Sequence, residues 1–501
     1  MNRQYRLGLM VCLVVAVAFA KPLPALGQAG TYVTEMTCTN LDDTAAQMSL
    51  ILYAENSGTT TYSYEDPNLL GTGLSRIYYL PTQTTNPALP SSFSGSAFVS
   101  SDKKIACSQK TQRNDGSVGT QSVPARIGEA NGLNVYTESS NTLYAPQVMR
   151  NFYNVWNSYI SVQNTGLTSA DVTITYRRRN GNPTPAIPTE TFTIPPQSSH
   201  IFNQATNGNL PPDDNSGFSG SATITTGNTN NRITASVTFY NNASSYQTTQ
   251  FQSYNAFRSG ATKLIVPRFV RNYYGFNSGI TIYNFNNNAI TVNIAFTFPS
   301  GTYNVTRNLA AGEEYSGYAS GIPELAPVDN ASVNLRTGSA VVTTAGGSAV
   351  AIVNEDNRGY CTPANVCTSI PANQVGYSST YNAFLDDGTA TSKVVFPKIP
   401  RTVATYFAGG WQISNLTAFG STCDITYANL TTTTQSLSIS PNGSLSIYLP
   451  NVPNLPDWFN DAVTVSCPGT QIQGISNSSG RITTIATYWG DSFTTANGFS
   501  K

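Results

Sequence analysis

Charged side chains are scarce in this sequence. Asp, Glu, Lys and Arg together make up 10% of its 501 residues, against roughly 25% in an average soluble domain. The 26 acidic and 26 basic residues balance, so the chain has no net charge with which to hold nucleic acid or an anionic membrane surface. We therefore expect no nucleic-acid partner.

Histidine is almost absent, which argues against most acid–base and nucleophilic catalysis. The single histidine, His200, lies between Ser199 and Ile201 in a strand-like stretch. No nucleophile motif accompanies it, so Ser-His-Asp and Cys-His chemistry are not supported, and His200 is interpreted as a structural strand residue. Cysteine and histidine are also not clustered as a zinc site requires. The sequence predicts a protein that is not an enzyme and needs no cofactor.

Acidic residues are few, and many of them stand as adjacent pairs in turn-like stretches. Neighbouring acids in turns are typical of solvated loop tips or, at most, of weak calcium ligands. Asp386 and Asp387, which precede Gly388, are the best calcium candidates. A catalytic carboxylate pair of the glycosidase type is not favoured by this arrangement.

Only one long apolar run is present, and it lies near the N-terminus. Two arginines precede an apolar stretch from Leu7 to Ala20, and small residues stand at two candidate cleavage sites, after Ala20 and after Gly27. The stretch is too short to span a bilayer comfortably and is typical of a secretory signal. Pro22 disfavours the first site, so residues 1–27 are predicted to be a signal peptide. We expect a secreted, extracellular or cell-surface protein without a transmembrane segment.

Cysteine use agrees with export. One of the seven cysteines lies in the predicted signal, and the other six are spread along the chain. Several connectivities are open to them, but only one keeps every bond inside a repeat as defined below: Cys38–Cys107, Cys361–Cys367 and Cys423–Cys467. On a loop-entropy model the two long loops would each contribute about 4 kcal/mol and the short loop about 2 kcal/mol.

One long sequence motif recurs four times along the chain. Its fixed point is an asparagine that closes a short alternating strand, and this asparagine recurs about every 120 to 130 residues. The four landmark asparagines are Asn40, Asn164, Asn284 and Asn415.

Two further features keep the same phase. An extended opener containing proline and arginine precedes the motif around Pro146, Pro267 and Pro397, and is missing from the first copy. Each copy also ends in a short closing tag, and these tags contain Asn131, Asn255, Asn382 and Asn497. Features that hold phase over four copies predict an array of four structural repeats.

The repeats are predicted to be all-β. Apolar, β-branched and aromatic residues alternate with Thr and Ser in short stretches, and Asn, Gly and Pro turns separate these stretches. Six or seven strands in about 120 residues favour an antiparallel two-sheet sandwich of the immunoglobulin-like type. We predict four tandem sandwiches, repeats 1 to 4, at residues 28–140, 141–260, 261–390 and 391–501. Because the joints are short, we expect a semi-rigid rod about 150 Å long.

A cluster of aromatic residues follows each opener. Trp156, Phe276 and Trp411 belong to this cluster in repeats 2, 3 and 4. Such rings stack on sugars when they are exposed and fill the core when they are buried. Ligand contact and packing therefore both remain open. A basic run, Arg177–Arg179, stands beside an Asn-Gly turn and predicts a solvated hairpin tip, with an anionic partner as the alternative.

Several phrases carry a family resemblance. R-N-Y-Y-G-F-N-S-G-I-T-I-Y-N, the later G-S-A-V-V-T-T and A-V-A-I-V-N-E, and the closing Y-N-A-F resemble a tandem repeat of large secreted proteins from filamentous environmental bacteria. The match is clearest in repeat 3 and degraded in repeats 1 and 4. The resemblance implies an immunoglobulin-like extracellular module of cell-surface or matrix type, and it brings no catalytic residues.

Together these features predict a non-enzymatic secreted structural protein, a subunit of a bacterial surface layer, sheath or extracellular fibre. Its expected partners are further copies or other surface proteins, because low charge removes repulsion between copies and Thr- and Tyr-rich sheets offer edges that can pair. Repeat 1 lacks its first strand and could accept one from the next subunit. The alternative is a carbohydrate-binding adhesin that uses the aromatic cluster, with glycans as partners.

Overall fold

The computed structural model is all-β with antiparallel sheets, as the sequence predicts. No helix in the residues it describes is long and apolar enough to cross a membrane. The described helical elements are short 3-10 segments: Leu80–Thr82, Gln204–Thr206, Ala319–Gly321, Pro323–Asn330, Val333–Leu335 and Leu449–Asn451. The structure describes residues 11–15, 31–114, 117–118, 121–122, 126–154, 156–211, 217–241, 251–357, 378–388, 390–401, 407–430, 434–482 and 490–500.

Two larger sheets and one small hairpin form from the N-terminal segment and repeat 1. The strands are β1 (Val11–Val15), β2 (Thr31–Asn40), β3 (Met48–Ala54), β4 (Thr61–Glu65), β5 (Ser75–Tyr79), β6 (Gly95–Ser101), β7 (Ile105–Asn114), β8 (Ser117–Val118), β9 (Gln121–Ser122), β10 (Arg126–Asn131) and β11 (Leu133–Asn134). The first sheet has the order β11-β1-β6-β3-β4 and the second β10-β7-β2-β5, while β8 and β9 form the hairpin. We call the second the tag sheet, because β10 ends at a closing-tag asparagine, and the first the opener sheet.

Repeat 2 has the same two sheets. Its strands are β12 (Thr142–Arg150), β13 (Trp156–Asn164), β14 (Ala170–Arg178), β15 (Glu190–Ile194), β16 (Ser199–Asn203), β17 (Phe218–Thr226), β18 (Ile233–Asn241) and β19 (Phe251–Asn255). The opener sheet has the order β12-β17-β14-β15 and the tag sheet β16-β13-β18-β19.

Repeats 3 and 4 continue this strand order. Repeat 3 contains β20 (Lys263–Val270), β21 (Phe276–Tyr283), β22 (Ile290–Phe298), β23 (Gly301–Leu309), β24 (Glu314–Tyr318), β25 (Thr337–Ala345), β26 (Val350–Asn357), β27 (Ser378–Asn382) and β28 (Phe384–Leu385). Repeat 4 contains β29 (Lys393–Pro400), β30 (Phe407–Asn415), β31 (Ser421–Tyr427), β32 (Thr434–Ile439), β33 (Ser444–Tyr448), β34 (Asn460–Ser466), β35 (Ile472–Ile482), β36 (Gly490–Asn497) and β37 (Phe499–Ser500). Their opener sheets are β23-β22-β25-β20-β28 and β32-β31-β34-β29-β37, and their tag sheets are β24-β21-β26-β27 and β33-β30-β35-β36.

An apolar core lies between the two sheets of each repeat, and repeat 3 shows how the sequence builds it. Along β22 the residues Val292, Ile294 and Phe296 are fully or almost fully buried while the residues between them are partly or fully exposed. They pack with Ile280 and Ile282 of the tag sheet in one cluster. Burying one such side chain stabilises the fold by about 1.5–3 kcal/mol, which is why strand alternation is a reliable signal here.

The landmark asparagines close the first strand of each tag sheet through the same turn. In repeat 2, Asn164 is fully buried, its Nδ2 donates to Thr168 O at 2.7 Å, and its Oδ1 accepts from Gly166 N–H at 2.9 Å. Asn40, Asn284 and Asn415 make the same pair of contacts with the residues four and two positions later. Asn415, which begins an Asn-x-Thr sequence, thus forms the same turn as the other landmark asparagines.

The repeats do not form a rod. The last strands of the tag sheets, β10, β19, β27 and β36, pack against one another, and repeat 4 contacts repeat 1 directly. The predicted rod about 150 Å long is therefore wrong. The joints between repeats are short, but they bring successive repeats around a common centre instead of extending them along a line.

Candidate functional site: the asparagine ring and the opener positions

A ring of four asparagines lies where the four tag sheets meet. Each tag asparagine directs its side-chain Nδ2 to the backbone carbonyl oxygen of the tag asparagine in the preceding repeat, and repeat 1 follows repeat 4. The distances are 2.8 Å from Asn255 to Asn131, 2.6 Å from Asn382 to Asn255, 2.7 Å from Asn497 to Asn382 and 2.9 Å from Asn131 to Asn497. The contacts therefore close into a cycle with approximate four-fold symmetry.

The side-chain oxygens of three of the four asparagines add a second contact to the same neighbour. Oδ1 of Asn382 accepts from the backbone N–H of Asn255 at 3.1 Å. In the same way, Oδ1 of Asn497 accepts from Asn382 N–H at 3.3 Å, and Oδ1 of Asn131 accepts from Asn497 N–H at 3.2 Å. A primary amide carries both a donor and an acceptor, so it can satisfy both backbone groups of one residue on a sheet edge. The shared asparagine of the four tags was the sequence signal for this ring, although sequence reasoning used it only to set the repeat phase.

Opener strands form the second set of contacts between repeats. The strand pairing of all three openers shifts register at proline, between Ala145 and Val148 in β12 and at the equivalent places in β20 and β29. Such a shift is typical of a β-bulge, which bends the strand and frees backbone groups from the ladder. In repeats 3 and 4 the carbonyl oxygen of the opener proline accepts a hydrogen bond from the next repeat.

Three polar contacts show this docking. Gln412 of repeat 4 donates from Nε2 to Pro267 O of the repeat 3 opener at 2.5 Å. Ser75 of repeat 1 donates from Oγ to Pro397 O of the repeat 4 opener at 2.8 Å. Between repeats 2 and 3, Asn354 donates from Nδ2 to Oε1 of Gln147, the residue after the opener proline, at 3.1 Å.

The contact between repeats 4 and 1 closes the ring. Lys398, directly after the opener proline of repeat 4, places Nζ 2.6 Å from Oε1 of Glu35, and both side chains are largely buried. Beside this ion pair, a small apolar cluster joins Leu41 and Ala106 of repeat 1 to Val395 and Ala462 of repeat 4. Repeats distant in sequence are thus held by the same opener surface that joins neighbours.

His200 lies at the contact between repeats 1 and 2. Its Nδ1 is 2.9 Å from Oδ1 of Asn56, and its ring stacks on Phe192 with 3.6 Å between centroids. Burial lowers the pKa of His200 to about 4, because desolvation disfavours the charged imidazolium. A neutral ring packed between an amide and a phenyl group agrees with the structural role predicted for His200.

The aromatic cluster is divided between the interior and the surface. Trp411 is 2% exposed and stacks on Phe396 of the repeat 4 opener, and Trp156 is 9% exposed. Phe276 is half-buried at the start of β21. The burial of the two tryptophans is what the packing interpretation expects. Two neighbours in the same cluster, Tyr153 and Tyr274, are 62% and 47% exposed.

The basic run is not simply a solvated tip. Arg179 places Nε 3.1 Å from Oε1 of Glu314, whose side chain is fully buried in repeat 3. The guanidinium also lies over the Phe152 ring, 5.5 Å from its centroid. A buried carboxylate requires a partner, so this arginine serves the contact between repeats 2 and 3.

The calcium candidates lie after β28. Asp386 places Oδ2 2.8 Å from Nζ of Lys263, so a cation of the chain already neutralises this carboxylate. No group of three metal-ligating side chains occurs in the part of the chain that the structure describes. Calcium binding at Asp386 and Asp387 stays a prediction.

Two disulfides join adjacent strands of one sheet. Cys38 pairs with Cys107 across β2 and β7, and Cys423 pairs with Cys467 beside the β31–β34 ladder. Both bonds follow the connectivity that keeps each bond inside a repeat. The third predicted bond, Cys361–Cys367, lies outside the described residues. Unlike the disulfide of antibody domains, which links two sheets, these bonds reinforce a single sheet.

In repeat 1, a strand from the predicted signal peptide occupies the opener position. β1 pairs with β6 over Val11–Val15 and with β11 through Leu13 and Val14. In repeats 3 and 4 the openers β20 and β29 lie between the equivalent neighbours. The missing opener of repeat 1 therefore has a defined place in the fold, between two strands.

The fold and these contacts define an all-β protein of repeated antiparallel sheets. No family model and no curated protein matches the chain. Among solved structures, it has a weak similarity to a tetra-tandem repeat in the extending region of a large adhesion protein. That match has a TM-score of 0.10 and 13% identity, and it covers 98% of this chain and 99% of that chain.

Two other solved structures have comparably low scores. One is Thermotoga maritima 1070, with a TM-score of 0.19, 13% identity, and coverage of 26% of this chain and 97% of that chain. The other is the VP2 subviral particle of infectious bursal disease virus, with a TM-score of 0.11, 9% identity, and coverage of 92% and 83%. These scores are too low to support an argument about function.

Proposed function

We propose that the chain is a non-enzymatic secreted structural protein, built from four tandem two-sheet sandwiches at residues 28–140, 141–260, 261–390 and 391–501. It serves as a subunit of a bacterial surface layer, sheath or extracellular fibre. The tag sheets meet at the centre through the asparagine ring, so each opener sheet keeps one edge strand away from that ring. These outer edges are β4, β15, β23 and β32.

The composition of the outer edges supports this proposal. Natural proteins protect exposed sheet edges with charges, especially lysine, or with proline. Here β23 reads G-T-Y-N-V-T-R-N-L and β32 reads T-Q-S-L-S-I, with one charge between them and no proline. In repeat 1 a bridge from Ser63 to Asn86 covers part of the edge. The weakly protected edges β23 and β32 would allow lateral contacts between copies.

Light scattering and electron microscopy of the exported chain test this proposal. We expect concentration-dependent assemblies, and a strict monomer at every concentration and calcium level would overturn the proposal. Thr302→Lys and Asn304→Lys place cations on exposed positions of β23 and should weaken assembly. Asn334→Lys adds the same charge at an exposed position in a 3-10 segment and should leave assembly unchanged.

A second candidate function, carbohydrate binding by an adhesin, is supported by the exposed Tyr153 and Tyr274. The two tyrosines occupy equivalent places after the openers of repeats 2 and 3, with φ of 50° and 49°. Exposed aromatic faces stack on sugar rings. A glycan array should show binding that Tyr153→Ala and Tyr274→Ala abolish while the fold is retained. An array without any binding would eliminate this candidate.

A further inference from the structure

The opener position of repeat 1 is a slot with two sides. β1 lies between β6 and β11, with five residues paired to β6, from Val11 opposite Ser101 to Val15 opposite Ala97. On its other side, Leu13 and Val14 lie opposite Asn134 and Leu133. All seven residues of β6 are buried. A strand at this place is therefore a central member of its sheet.

Residues 11–15 belong to the predicted signal peptide, so the mature chain would lose this strand. Its removal would leave backbone N–H and C=O groups of β6 and β11 without their ladder partners. Buried backbone groups are almost always paired in folded proteins. In mature repeat 1, β6 would then be an edge strand next to an open position that can accept another strand.

The three openers show what this kind of slot accepts. They share the pattern apolar-x-apolar-Pro-(Gln, Arg or Lys)-apolar-x-Arg, and its three instances are Leu143–Arg150, Leu264–Arg271 and Val394–Arg401. The three apolar positions are buried in each opener, as Leu264, Val266 and Phe269 are in repeat 3.

The final arginine of each opener reaches the 3-10 region of its own repeat. Arg150 donates from Nη1 to Leu210 O at 2.7 Å, Arg271 donates from Nη1 to Ile322 O at 3.2 Å, and Arg401 donates from Nη2 to Pro450 O at 3.4 Å. β1 has the sequence Val-Cys-Leu-Val-Val, without proline or arginine, and its pairing with β6 has no register shift. It thus fills the slot without the two features that the openers share.

Counting strands indicates where the occupant comes from. The sequence contains four repeats but only three opener patterns, and each opener fills the slot of its own repeat. A second copy could donate an opener only by emptying one of its own slots. Exchange of these three openers among copies of residues 28–501 would therefore leave one slot per copy unfilled.

We propose that the slot between β6 and β11 of the mature chain accepts a strand from a different polypeptide, one that presents a free segment with the opener pattern. Strand addition of this kind combines main-chain hydrogen bonds with pockets for alternate side chains. The inference rests on the proposed secretion and removal of the signal peptide, and it adds a specific partner to the proposed structural role.

Peptide binding tests the slot directly. The probe is a synthetic peptide with the sequence of residues 263–271, added to the exported chain after its N-terminus has been determined by mass spectrometry. We expect stoichiometric binding and a higher melting temperature. A peptide in which the residues equivalent to Val266 and Phe269 are replaced by lysine should bind at least about tenfold more weakly, because it loses two buried apolar anchors.

A self-complemented variant is the matched control. Fusing the same opener sequence through a flexible linker to the N-terminus of the mature chain should fill the slot and abolish peptide binding. A mature N-terminus that retains residues 11–15, absence of peptide binding, or binding that persists in the fused variant would each overturn the proposal. The proposal would also be overturned if the mature chain alone formed oligomers that dissociate when the peptide is added, since the donor would then be a second copy.

These outcomes are separate from those of the proposed function. Assembly of the chain with a slot that binds no peptide would remove the strand-accepting partner and leave the structural role in place. A chain that remains monomeric at all concentrations yet binds the peptide at the slot would remove the structural role and leave the strand-accepting partner in place.

Discussion

The side chain of Asn382 makes hydrogen bonds to both backbone polar groups of Asn255. Its Nδ2 donates to Asn255 O at 2.6 Å, and its Oδ1 accepts from Asn255 N–H at 3.1 Å. The two residues belong to different repeats, and Asn255 is 9% exposed. This pair is one of the four contacts of the asparagine ring. A substitution of Asn382 therefore reports how much the ring contributes to the stability of the protein.

Asn382→Ala should destabilise the protein by about 2–4 kcal/mol, because two nearly buried backbone groups lose their partners. Urea unfolding followed by circular dichroism measures the change. Asn304→Ala is the control, because Asn304 is an exposed asparagine of the same repeat, and it should cost less than about 0.5 kcal/mol. Equal losses in the two variants would mean that the ring contributes nothing specific.

The overall dimensions distinguish the ring from a string of domains. Small-angle X-ray scattering of the monomeric chain should give a radius of gyration nearer to about 23 Å, the value for a fully compact chain of this length, than to the roughly 43 Å of a uniform 150 Å rod. A value near that of the rod would contradict the contact between Lys398 and Glu35. Measurement at several concentrations separates chain shape from assembly.

The two interpretations of the aromatic cluster predict different results for tryptophan substitutions. Trp411→Ala removes a large side chain that is 2% exposed and should cost about 3–5 kcal/mol of stability. Trp458 is 71% exposed in the same repeat, so Trp458→Ala should change stability by less than about 0.5 kcal/mol. Thermal unfolding compares the two variants. An unchanged melting temperature for Trp411→Ala would favour ligand contact over packing.

The single histidine allows an unusually clean pH experiment. Burial lowers the folded-state pKa of His200 from 6.5 to about 4, so between these values the unfolded chain binds more protons than the folded chain at this residue. Stability from His200 is therefore fully present above about pH 6.5 and is lost as pH falls toward 4. Solvent reaches part of the ring, so the loss should be less than the shift alone implies.

Comparison with His200→Gln isolates this effect. The difference in unfolding free energy between the two proteins should shrink or reverse as pH falls from 7 to 4. Carboxylates begin to titrate at the lower end of this window, but they are present in both proteins and cancel in the difference. A difference that does not vary with pH would show that the folded and unfolded forms bind protons equally at His200.

Parts of the fold could be read from local sequence because they depend on local chemistry. β22 occupies Ile290–Phe298, a stretch in which apolar residues alternate with others, and the landmark asparagines form the turns that their own side chains favour. Six or seven strands are expected in each repeat, and repeat 2 contains eight. Alternation does not indicate β19, because Phe251–Asn255 is buried at every position and its residues do not alternate between an apolar and a polar face.

The sequence indicated the residues of the candidate site but not the contacts between them. The four tag asparagines and three openers were recognised as repeat landmarks, but their partners lie more than 100 residues away in most cases, and Asn131 meets Asn497 across 366 residues. Arg179 shows the same limit. Its turn sequence predicts a solvent-exposed tip, while Glu314 of the next repeat provides a buried partner.

The sequence by itself determined the β class, the four-fold repetition and the turns, because a side-chain period of two and asparagine turn chemistry act over a few residues. Only the tertiary structure decided that the repeats close into a ring, and that the opener slot of repeat 1 has two sides. The angle between successive repeats comes from many weak contacts at the opener bulges. The repeated openers and tag asparagines mark the chain, but the sequence does not show which repeat each of them contacts, so a rod and a ring would have the same sequence pattern.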